Sequence, residues 1–528
     1  MAMSTKELLN IIFNLQQEIV DLKKANQKLR DEIRRLKGEK GKPEIKTPIM
    51  GDEEKKKKRK TGNWYKTSKK DKIVITRREH IDIDKSLLPK DAEYKGTRSV
   101  VIQDIKIETD NVEFEIEKYY SKKQGKTFES ELPAEYKEGF FGPGLRHFIL
   151  TIHYQGRMPQ KLMHTILTGM GVIISEGEIA GIISKSSILF EGEQLAACKA
   201  GAQKHGYQHI DDTGARLAGN NGATIVTCNE SFVSYNTGKS KDRLSALKAL
   251  CGTNILVYLI DDFTIKYVKE KLPRKTAHKI LEPFKNKIII GEKDFESYFL
   301  DNPEIGKRHP YVFRYIKEGA AIAAFRANYY NMPSSIIVCD DAGQFKGLCE
   351  HLQLCWVHIA RHFKNLDPLV KDFQDILNNF LELFWTYYRK LQAFKISPNG
   401  IDKANLIKEF DELFVPNTGY FALNNRIKKV IKKKTELLTV LDYPNTPLHN
   451  NPCELDTREK VVQRKIRNCH RSSFGAKASD IFLGLMGTCR KNKISFWRFM
   501  KDRIFKLNEI PKLTNLITDS TSYPAPIF

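Results

Sequence analysis

The chain has 528 residues, of which 41% are hydrophobic and 29% are charged. This length predicts about three or four structural units, and the hydrophobic content excludes a wholly disordered chain. Lysine and arginine number 88 against 64 aspartates and glutamates, which gives a formal net charge of +24. Such an excess favours a polyanionic partner, most simply nucleic acid, and the alternative is a soluble protein with a basic tail.

The cellular location follows from what the sequence lacks. No run of about 18 apolar residues occurs, so we expect no transmembrane helix and no membrane partner. The start of the chain has no small-residue cleavage site of the kind that signal peptides carry. Nine cysteines are scattered without a framework spacing, and none precedes Cys198. We therefore predict reduced thiols in a cytoplasmic, nucleoid-associated protein.

Residues 5–37 carry a strict heptad repeat. Leucine recurs at every seventh residue, at Leu8, Leu15, Leu22, Leu29 and Leu36. The other seam position holds Ile12, Ile19, Asn26 and Ile33. Isoleucine at a and leucine at d favour a parallel two-stranded coiled coil, and one buried asparagine pair specifies its register. We predict a leucine zipper that forms a homodimer or a larger assembly; the alternative is a helix packed on its own domain.

Two weaker segments follow the heptads. Residues 38–72 read as a basic linker, because they include the run Lys55-Lys56-Lys57-Lys58-Arg59-Lys60. Such runs are usually solvated, but this one could also serve as an arm that contacts DNA phosphates. Residues 73–135 are predicted to be a small β-rich domain without zinc ligands. Their apolar residues alternate from Val101 to Ile116, with a turn at Asp110-Asn111.

Residues 140–200 show a helical pattern. One helix ends at a glycine break between Gly169 and Gly171, and a second begins after Ser175 with Glu178 three residues on. This pair of residues is a capping box. Two helices joined by a glycine turn predict either a helix-turn-helix that reads DNA or an ordinary helical hairpin within a core.

Pairs of aspartates end three apolar runs after residue 200. We assign residues 201–510 to one domain and residues 511–528 to a tail. The pairs are Asp211-Asp212, Asp261-Asp262 and Asp340-Asp341. A carboxylate at the carboxyl end of a strand lies where α/β folds build their sites, although any single pair can also be a turn or a helix cap.

The order of elements after the first pair indicates the fold. Residues 224–228 and 231–235 predict two antiparallel strands, and residues 240–251 predict a helix. Three strands and a helix, starting from an acidic strand, fit an RNase H-like α/β sheet. Such a fold needs a second aspartate from a neighbouring strand and an acid from a later helix. Together they would hold two divalent metal ions, Mg²⁺ or Mn²⁺, which act at a phosphodiester.

Glu454 is the candidate for the later acid. Asn450-Asn451-Pro452 is a helix start, with a cap before a proline in the first turn. Glu454 then lies in that first turn, where its charge is favoured. Arg458 follows Glu454 at i+4, and Arg464 and Lys465 lie about three turns after Glu454. This helix would place phosphates beside the metals; the alternative is a capping glutamate on a basic surface helix.

These motifs together resemble the DDE transposases of bacterial insertion sequences, specifically the TnpC-type family. The matching segments are the heptads, His209-Ile-Asp-Asp-Thr213, Asp340-Asp-Ala-Gly-Gln-Phe345, Cys355-Trp-Val-His358-Ile-Ala-Arg361 and His449-Asn-Asn-Pro-Cys-Glu454. Their order holds over roughly residues 100–505, and in that order they are quite specific.

The resemblance implies an RNase H-like catalytic domain whose metal-binding acids are Asp211, Asp340 and Glu454. Asp212 and Asp341 remain the alternatives within their pairs, since strand alternation lets only one of each pair face a site. Asp261 and Asp262 are rejected, because the family's Cys-x-x-His motif follows its second acid closely. The long separations of the acids predict insertions, including a helical one at about 360–445.

The Cys-x-x-His match consists of Cys355 and His358. Two ligands do not make a zinc site, so a buried structural turn beside the active site is the favoured interpretation. One departure from the family is the lack of a cysteine-rich module after the zipper.

The resemblance implies a transposase that cuts DNA at the element ends and joins them to target DNA, with accessory proteins as further candidate partners. Arg458, Arg464 and Lys465 would contact DNA phosphates. Two alternatives stay open: a non-catalytic dimeric DNA-binding regulator, and an RNase H-like nuclease that only cuts.

Overall fold

The computed structural model describes residues 17–22, 73–84, 86, 88–89, 91–137, 139–253, 255–272, 281–300, 310–330 and 336–518. Residues 17–22 are helical. The rest of the predicted coiled coil at 5–37 and the whole predicted linker at 38–72 lie outside the described residues.

The hairpin predicted between Val101 and Ile116 is not formed. Residues 92–117 have no regular secondary structure, and two antiparallel strands lie further along the chain, β1 at Lys118–Ser121 and β2 at Lys126–Glu129. The alternating apolar side chains have no core to pack on, since Ile102 and Ile105 are 84% and 80% exposed. A two-stranded ribbon without a hydrophobic partner is marginal in water, so the alternation does not produce strands here.

The helical segment that follows matches its prediction. Helices α1 at Pro143–Tyr154, α2 at Gln160–Gly169 and α3 at Glu176–His205 come in turn. The capping box is confirmed: Ser175 Oγ accepts a hydrogen bond from the Glu178 amide (3.2 Å), and the Glu178 carboxylate accepts one from the Ser175 amide (2.7 Å). Helix α3 is 30 residues long and buries one face in the core, so the second helix of the pair is a core helix. Its use in reading DNA stays a prediction.

The central feature is a mixed sheet with the strand order β5-β4-β3-β8-β9. The strands along the chain are β3 Tyr207–Leu217, β4 Asn220–Cys228, β5 Val233–Gly238, β6 Val257–Ile260, β7 Lys287–Ile290, β8 Ile336–Cys339 and β9 His351–Leu354. Strands β3, β4 and β5 are antiparallel, whereas β8 and β9 run parallel to β3. The two antiparallel strands predicted after the first acidic strand are confirmed, and the described chain is α/β and mostly helical.

Helices cover both faces of this sheet. In chain order they are α4 Arg243–Cys251, α5 Asp262–Lys271, α6 Glu292–Leu300, α7 Pro310–Arg326, α8 Trp356–Lys364, α9 Lys371–Ile396, α10 Gly400–Leu413, α11 Phe421–Ile431, α12 Lys434–Leu437, α13 Asn451–Arg467, α14 Ser473–Lys491, α15 Phe496–Phe505 and α16 Leu513–Thr518. Val226 packs with α3 and α14 on one face, and its neighbour Ile225 packs with α4 and α7 on the other. Successive residues of β4 thus contact opposite layers, as a buried strand requires.

Two insertions separate the strands that carry the acids. Between β5 and β8 lies a β6–β7 ribbon with helices α5 to α7 around it. Between β9 and α13 the chain is helical, as predicted for about 360–445, and an aromatic core fills that insertion, with Trp356 fully buried against Phe384 and Phe410. Within the described residues no helix is both long and apolar enough to cross a bilayer.

Candidate active site

Asp211 lies within β3, and Asp340 directly follows the neighbouring strand β8 at the corresponding position. Tyr207 pairs with Ile336 and His209 with Val338 in the parallel ladder of β3 and β8. This register offset of 129 residues (336 − 207) is also the separation of the two aspartates (340 − 211). Since residues at one level of a parallel pair point to the same face, both carboxylates project from the same side of the sheet.

The position of the first pair differs from the strand end that the sequence predicted. Asp211 and Asp212 lie within β3, which continues to Leu217 because it forms a hairpin with β4. The parallel ladder with β8 does end at His209, so Asp211 lies two residues beyond the last paired residue of β3. Asp211 and Asp340 therefore lie just beyond the end of the parallel ladder between β3 and β8.

Asp211 faces the helix that carries Glu454. Its cross-strand neighbour Val226 belongs to the layer of α3 and α14, together with Cys453 of α13. Burial and then the negative charge of Asp340 raise the pKa of Asp211 to about 6, although the Asp212 amide hydrogen bond (2.9 Å) opposes the rise. Among the described residues, no lysine or arginine forms an ion pair with Asp211 or Asp340. Two neighbouring carboxylates thus lack a compensating protein cation.

The second aspartate of each pair is engaged by other groups. Lys241 Nζ lies 3.2 Å from Asp212 Oδ1, and Gln344 donates a hydrogen bond to Asp212 Oδ2 at 2.5 Å. Asp341 forms ion pairs with Lys346 (2.6 Å) and Lys433. Burial works against ionisation of Asp341, but these two ammonium groups hold its pKa below the usual range.

Glu454 occupies the first turn of α13, as predicted. Its carboxylate meets the guanidinium of Arg361 on α8, which donates from Nη1 to Oε1 at 3.3 Å and from Nη2 to Oε2 at 3.2 Å. His358 lies one turn earlier on α8, with Nε2 3.5 Å from Glu454 Oε1. Arg361 also donates to that ring nitrogen at 3.1 Å. Burial, and to a lesser extent the Arg361 charge, lower the pKa of His358, while the Glu454 carboxylate opposes this shift.

Asn450 holds the start of α13 against β3, a role that differs from the predicted cap. It occupies the cap position, but its side chain makes no capping bond. Its Oδ1 accepts from Nδ1 of His209 at 2.9 Å, and its Nδ2 donates to the Ile210 carbonyl at 3.0 Å. Its backbone amide donates to the buried thiol of Cys355 at 3.2 Å. One loop residue thereby joins the first acidic strand, the Cys-x-x-His turn and the glutamate helix.

The predicted phosphate contacts lie along α13. Arg458 and Lys465 are exposed, and neither forms an ion pair with another described residue. Arg464 is half-buried and lies against β3 at Gly214, where a β-carbon would stand 3.2 Å from its Nη1. Glycine at this position therefore leaves room for the guanidinium beside the strand that carries Asp211.

The rejected pair has the plain structural role that a single aspartate pair often has. Asp261 caps α5 by accepting from the Thr264 amide at 2.9 Å, and Asp262 pairs with Lys285 at 2.6 Å. Within the part of the chain that the structure describes, no three histidine, cysteine, aspartate or glutamate side chains are grouped closely enough to hold a metal ion. Glu454, turned towards Arg361, does not complete such a group with Asp211 and Asp340.

Sequence reasoning missed several residues of this site. Lys241, Gln344 and Lys433 reach the alternate aspartates from distant segments, and Asn450 was read only as a cap. Lys433 lies in the run Lys432-Lys433-Lys434, which stands out by charge. Gln344 and Asn450 lie within two of the quoted motifs, but their partners come from other parts of the fold, and Lys241 carries no local signal.

Comparison with known proteins places these features in a family. A family profile described as "Transposase IS66 family" matches residues 305–478, a stretch that includes Asp340, Cys355, His358 and Glu454. A protein of Sinorhizobium fredii (strain NBRC 101917 / NGR234), named "Uncharacterized protein y4jO", is 32% identical over 305 residues, which are 58% of this chain and 94% of that protein. No solved structure matches significantly. The chain belongs to the IS66 family of transposases.

Proposed function

We propose that this protein is a DDE transposase that cuts DNA at the ends of an insertion sequence and joins them to target DNA with the help of divalent metal ions. One observation carries the proposal. Asp211 and Asp340 project level with each other from adjacent strands without a protein cation, and the helix of Glu454 packs on that face.

The sheet supports an RNase H-like catalytic domain. Three antiparallel strands, β5-β4-β3, precede a helix, and β8 and β9 then add in parallel beyond β3. Asp211 lies on β3, Asp340 directly follows the neighbouring strand β8, and the glutamate lies on a later helix. This is the order of acids that the sequence predicted for such a domain, with the ribbon and the helical insertion placed between them.

The residues present fit Mg²⁺ or Mn²⁺. The raised pKa of Asp211 beside Asp340 is the electrostatic state that a cation relieves, and carboxylate oxygens are the hard ligands that these ions prefer. Asp211 and Asp340 would hold the ions, and Glu454 would bind when its carboxylate is released from Arg361. When bound, two such ions activate a water or a 3′-hydroxyl and stabilise the leaving oxygen at a phosphodiester.

The chain's own residues would bind and orient the DNA. Arg458, Arg464 and Lys465 lie on the same helix as Glu454 and would contact phosphates on either side of the scissile bond. The net charge of +24 favours association with DNA. A zipper at residues 5–37 would hold two copies together, so that two element ends meet in one complex.

Two alternatives share part of these features. A dimeric DNA-binding regulator would use the zipper and the basic residues, but it needs no pair of uncompensated carboxylates on adjacent strands. A nuclease that only cuts would use the same acids and leave no joined products.

The direct test compares the two members of the second aspartate pair. Supercoiled plasmid carrying the ends of the element is incubated with Mg²⁺ and wild type, Asp340→Asn or Asp341→Asn. We expect cutting by wild type, none above background by Asp340→Asn, and retained cutting by Asp341→Asn, since Asp341 is bonded to Lys346 and Lys433. DNA binding should be unchanged in Asp340→Asn. Equal cutting by wild type and Asp340→Asn would reject the proposed site.

A further inference from the structure

The contact between Arg361 and Glu454 engages the groups that a metal ion needs. Both carboxylate oxygens of Glu454 accept from the guanidinium, at 3.3 and 3.2 Å. A divalent cation binds carboxylates through the same oxygens, so the arginine and a metal ion compete for them. Among the described ion pairs, Glu454 is the only member of the proposed catalytic triad that is paired with an arginine.

Arg361 is also placed to leave this contact. Its side chain is 49% exposed, against 27% for Glu454, so the guanidinium is open to solvent and to a ligand that approaches from it. Lys364 on the same helix is exposed, as is Arg458 one turn along from Glu454. Positively charged side chains of this kind attract a phosphate backbone. The planar guanidinium matches a phosphate as well as it matches a carboxylate, with two parallel hydrogen bonds.

We propose that Arg361 is a latch that exchanges partners: it holds Glu454 in the DNA-free protein and transfers to a DNA phosphate when DNA binds. The transfer leaves both oxygens of Glu454 free to bind metal. Metal binding is then coupled to the presence of DNA, which disfavours assembly of a complete metal site in the free protein. This inference rests on the proposed function and adds a positioning residue and a mode of regulation to it.

His358 lies beside the contact and bonds to the arginine. Its Nε2 accepts from Arg361 at 3.1 Å while lying 3.5 Å from Glu454. The imidazole therefore gives the guanidinium a third hydrogen bond in the latched state, in addition to the two to Glu454. Cys355 fixes the start of this helix to the loop before Glu454 through the Asn450 amide, so α8 and α13 keep their spacing while the side chain moves.

A double-mutant cycle without metal tests the latch. Binding of a short fluorescent DNA duplex is measured in EDTA for wild type, Glu454→Gln, Arg361→Gln and the double variant. Glu454→Gln should tighten binding by about threefold to fivefold, the size of an exposed ion pair, because it frees Arg361 for phosphate. In the Arg361→Gln background the same change should have no effect. Arg389→Gln is the matched control, since Arg389 bonds only to Thr386 of its own helix among the described contacts.

The outcomes are distinct. Equal tightening by Glu454→Gln with and without Arg361 would show a simple loss of negative charge and overturn the latch, and so would no tightening at all. A second readout uses Mn²⁺ binding by calorimetry to DNA-free protein, where Arg361→Gln should bind severalfold more tightly than wild type and Arg389→Gln. Unchanged Mn²⁺ affinity would also overturn it. The cycle reads no chemistry, so its failure is separable from a failure of the proposed function, which the Mg²⁺ cutting assay reads.

Discussion

The ring of His209 donates a hydrogen bond to the side chain of Asn450 at 2.9 Å, and this contact ties the strand of Asp211 to the helix of Glu454. Both residues are fully buried. The Asn450 amide also donates to the Ile210 carbonyl at 3.0 Å. Asn450 is therefore one of the residues that fix the spacing between Asp211 and Glu454, the first and third acids of the proposed site.

We expect Asn450→Ala to destabilise the protein by about 2–5 kcal/mol, because it leaves the buried His209 N–H and Ile210 carbonyl without partners. The free energy of unfolding is measured in urea. Asn399→Ala is the control, since Asn399 caps α10 at an exposed site and its loss should cost about 1 kcal/mol. Equal losses in the two variants would contradict the assigned role.

We expect substitutions of the two aspartates in the first pair, Asp211 and Asp212, to affect DNA cutting differently. Asp211→Asn should reduce Mg²⁺-dependent cutting to the background rate, since Asp211 shares a face with Asp340 and α13. Asp212→Asn removes contacts with Lys241 and Gln344 near the surface and should change the rate by less than about tenfold. The measurement is the initial rate of plasmid nicking. Loss of cutting in Asp212→Asn with retention in Asp211→Asn would reverse the assignment within the pair.

Alanine substitutions at two neighbouring positions of α9 should have very different effects on the free energy of unfolding. Phe384 is fully buried against Trp356, whereas Leu383, its neighbour on α9, is 59% exposed. Phe384→Ala should cost about 3–5 kcal/mol of unfolding free energy. Leu383→Ala should cost less than about 1 kcal/mol. Similar losses in both would contradict the orientation of α9.

These examples show what the sequence could predict. The acidic ends of the apolar runs at Asp211 and Asp340 and the start of α13 at Asn450-Asn451-Pro452 could be predicted, because apolar runs and helix starts have local signals. The partners Lys241, Gln344 and Lys433 were not, because they meet the aspartates only after the sheet and the insertion fold. The predicted hairpin at 101–116 is wrong for the opposite reason. The alternating apolar residues are a local signal for strands, but the fold provides no core on which they could pack.

Acid should weaken the packing of α13 on α1 through His153. Burial, and then the Arg467 charge, lower the pKa of His153 to about 3 from its ordinary 6.5, while Nδ1 donates to the Met158 carbonyl at 2.8 Å. His470 is half-buried near His153, and burial lowers its pKa to about 4. A histidine whose folded pKa is depressed takes up its proton in the unfolded state first. Its contribution is therefore present above pH 6.5 and declines as the pH falls from there towards the folded values.

The test compares thermal unfolding midpoints between pH 7 and pH 4.5 for wild type and His153→Gln. We expect a shallower decline in the variant, because glutamine takes up no proton on unfolding. Identical declines would show that His153 contributes nothing to the pH dependence.

The measurement that tests the central claim most directly is strand transfer with wild type and Glu454→Gln. A donor duplex with the element ends is incubated with supercoiled target plasmid in Mg²⁺ or Mn²⁺, and joined products are separated on a gel. We expect joined products from wild type alone, with DNA binding retained in both proteins. Equal joining by both would remove Glu454 from the site and contradict the account, and metal-dependent cutting without joining would favour a nuclease.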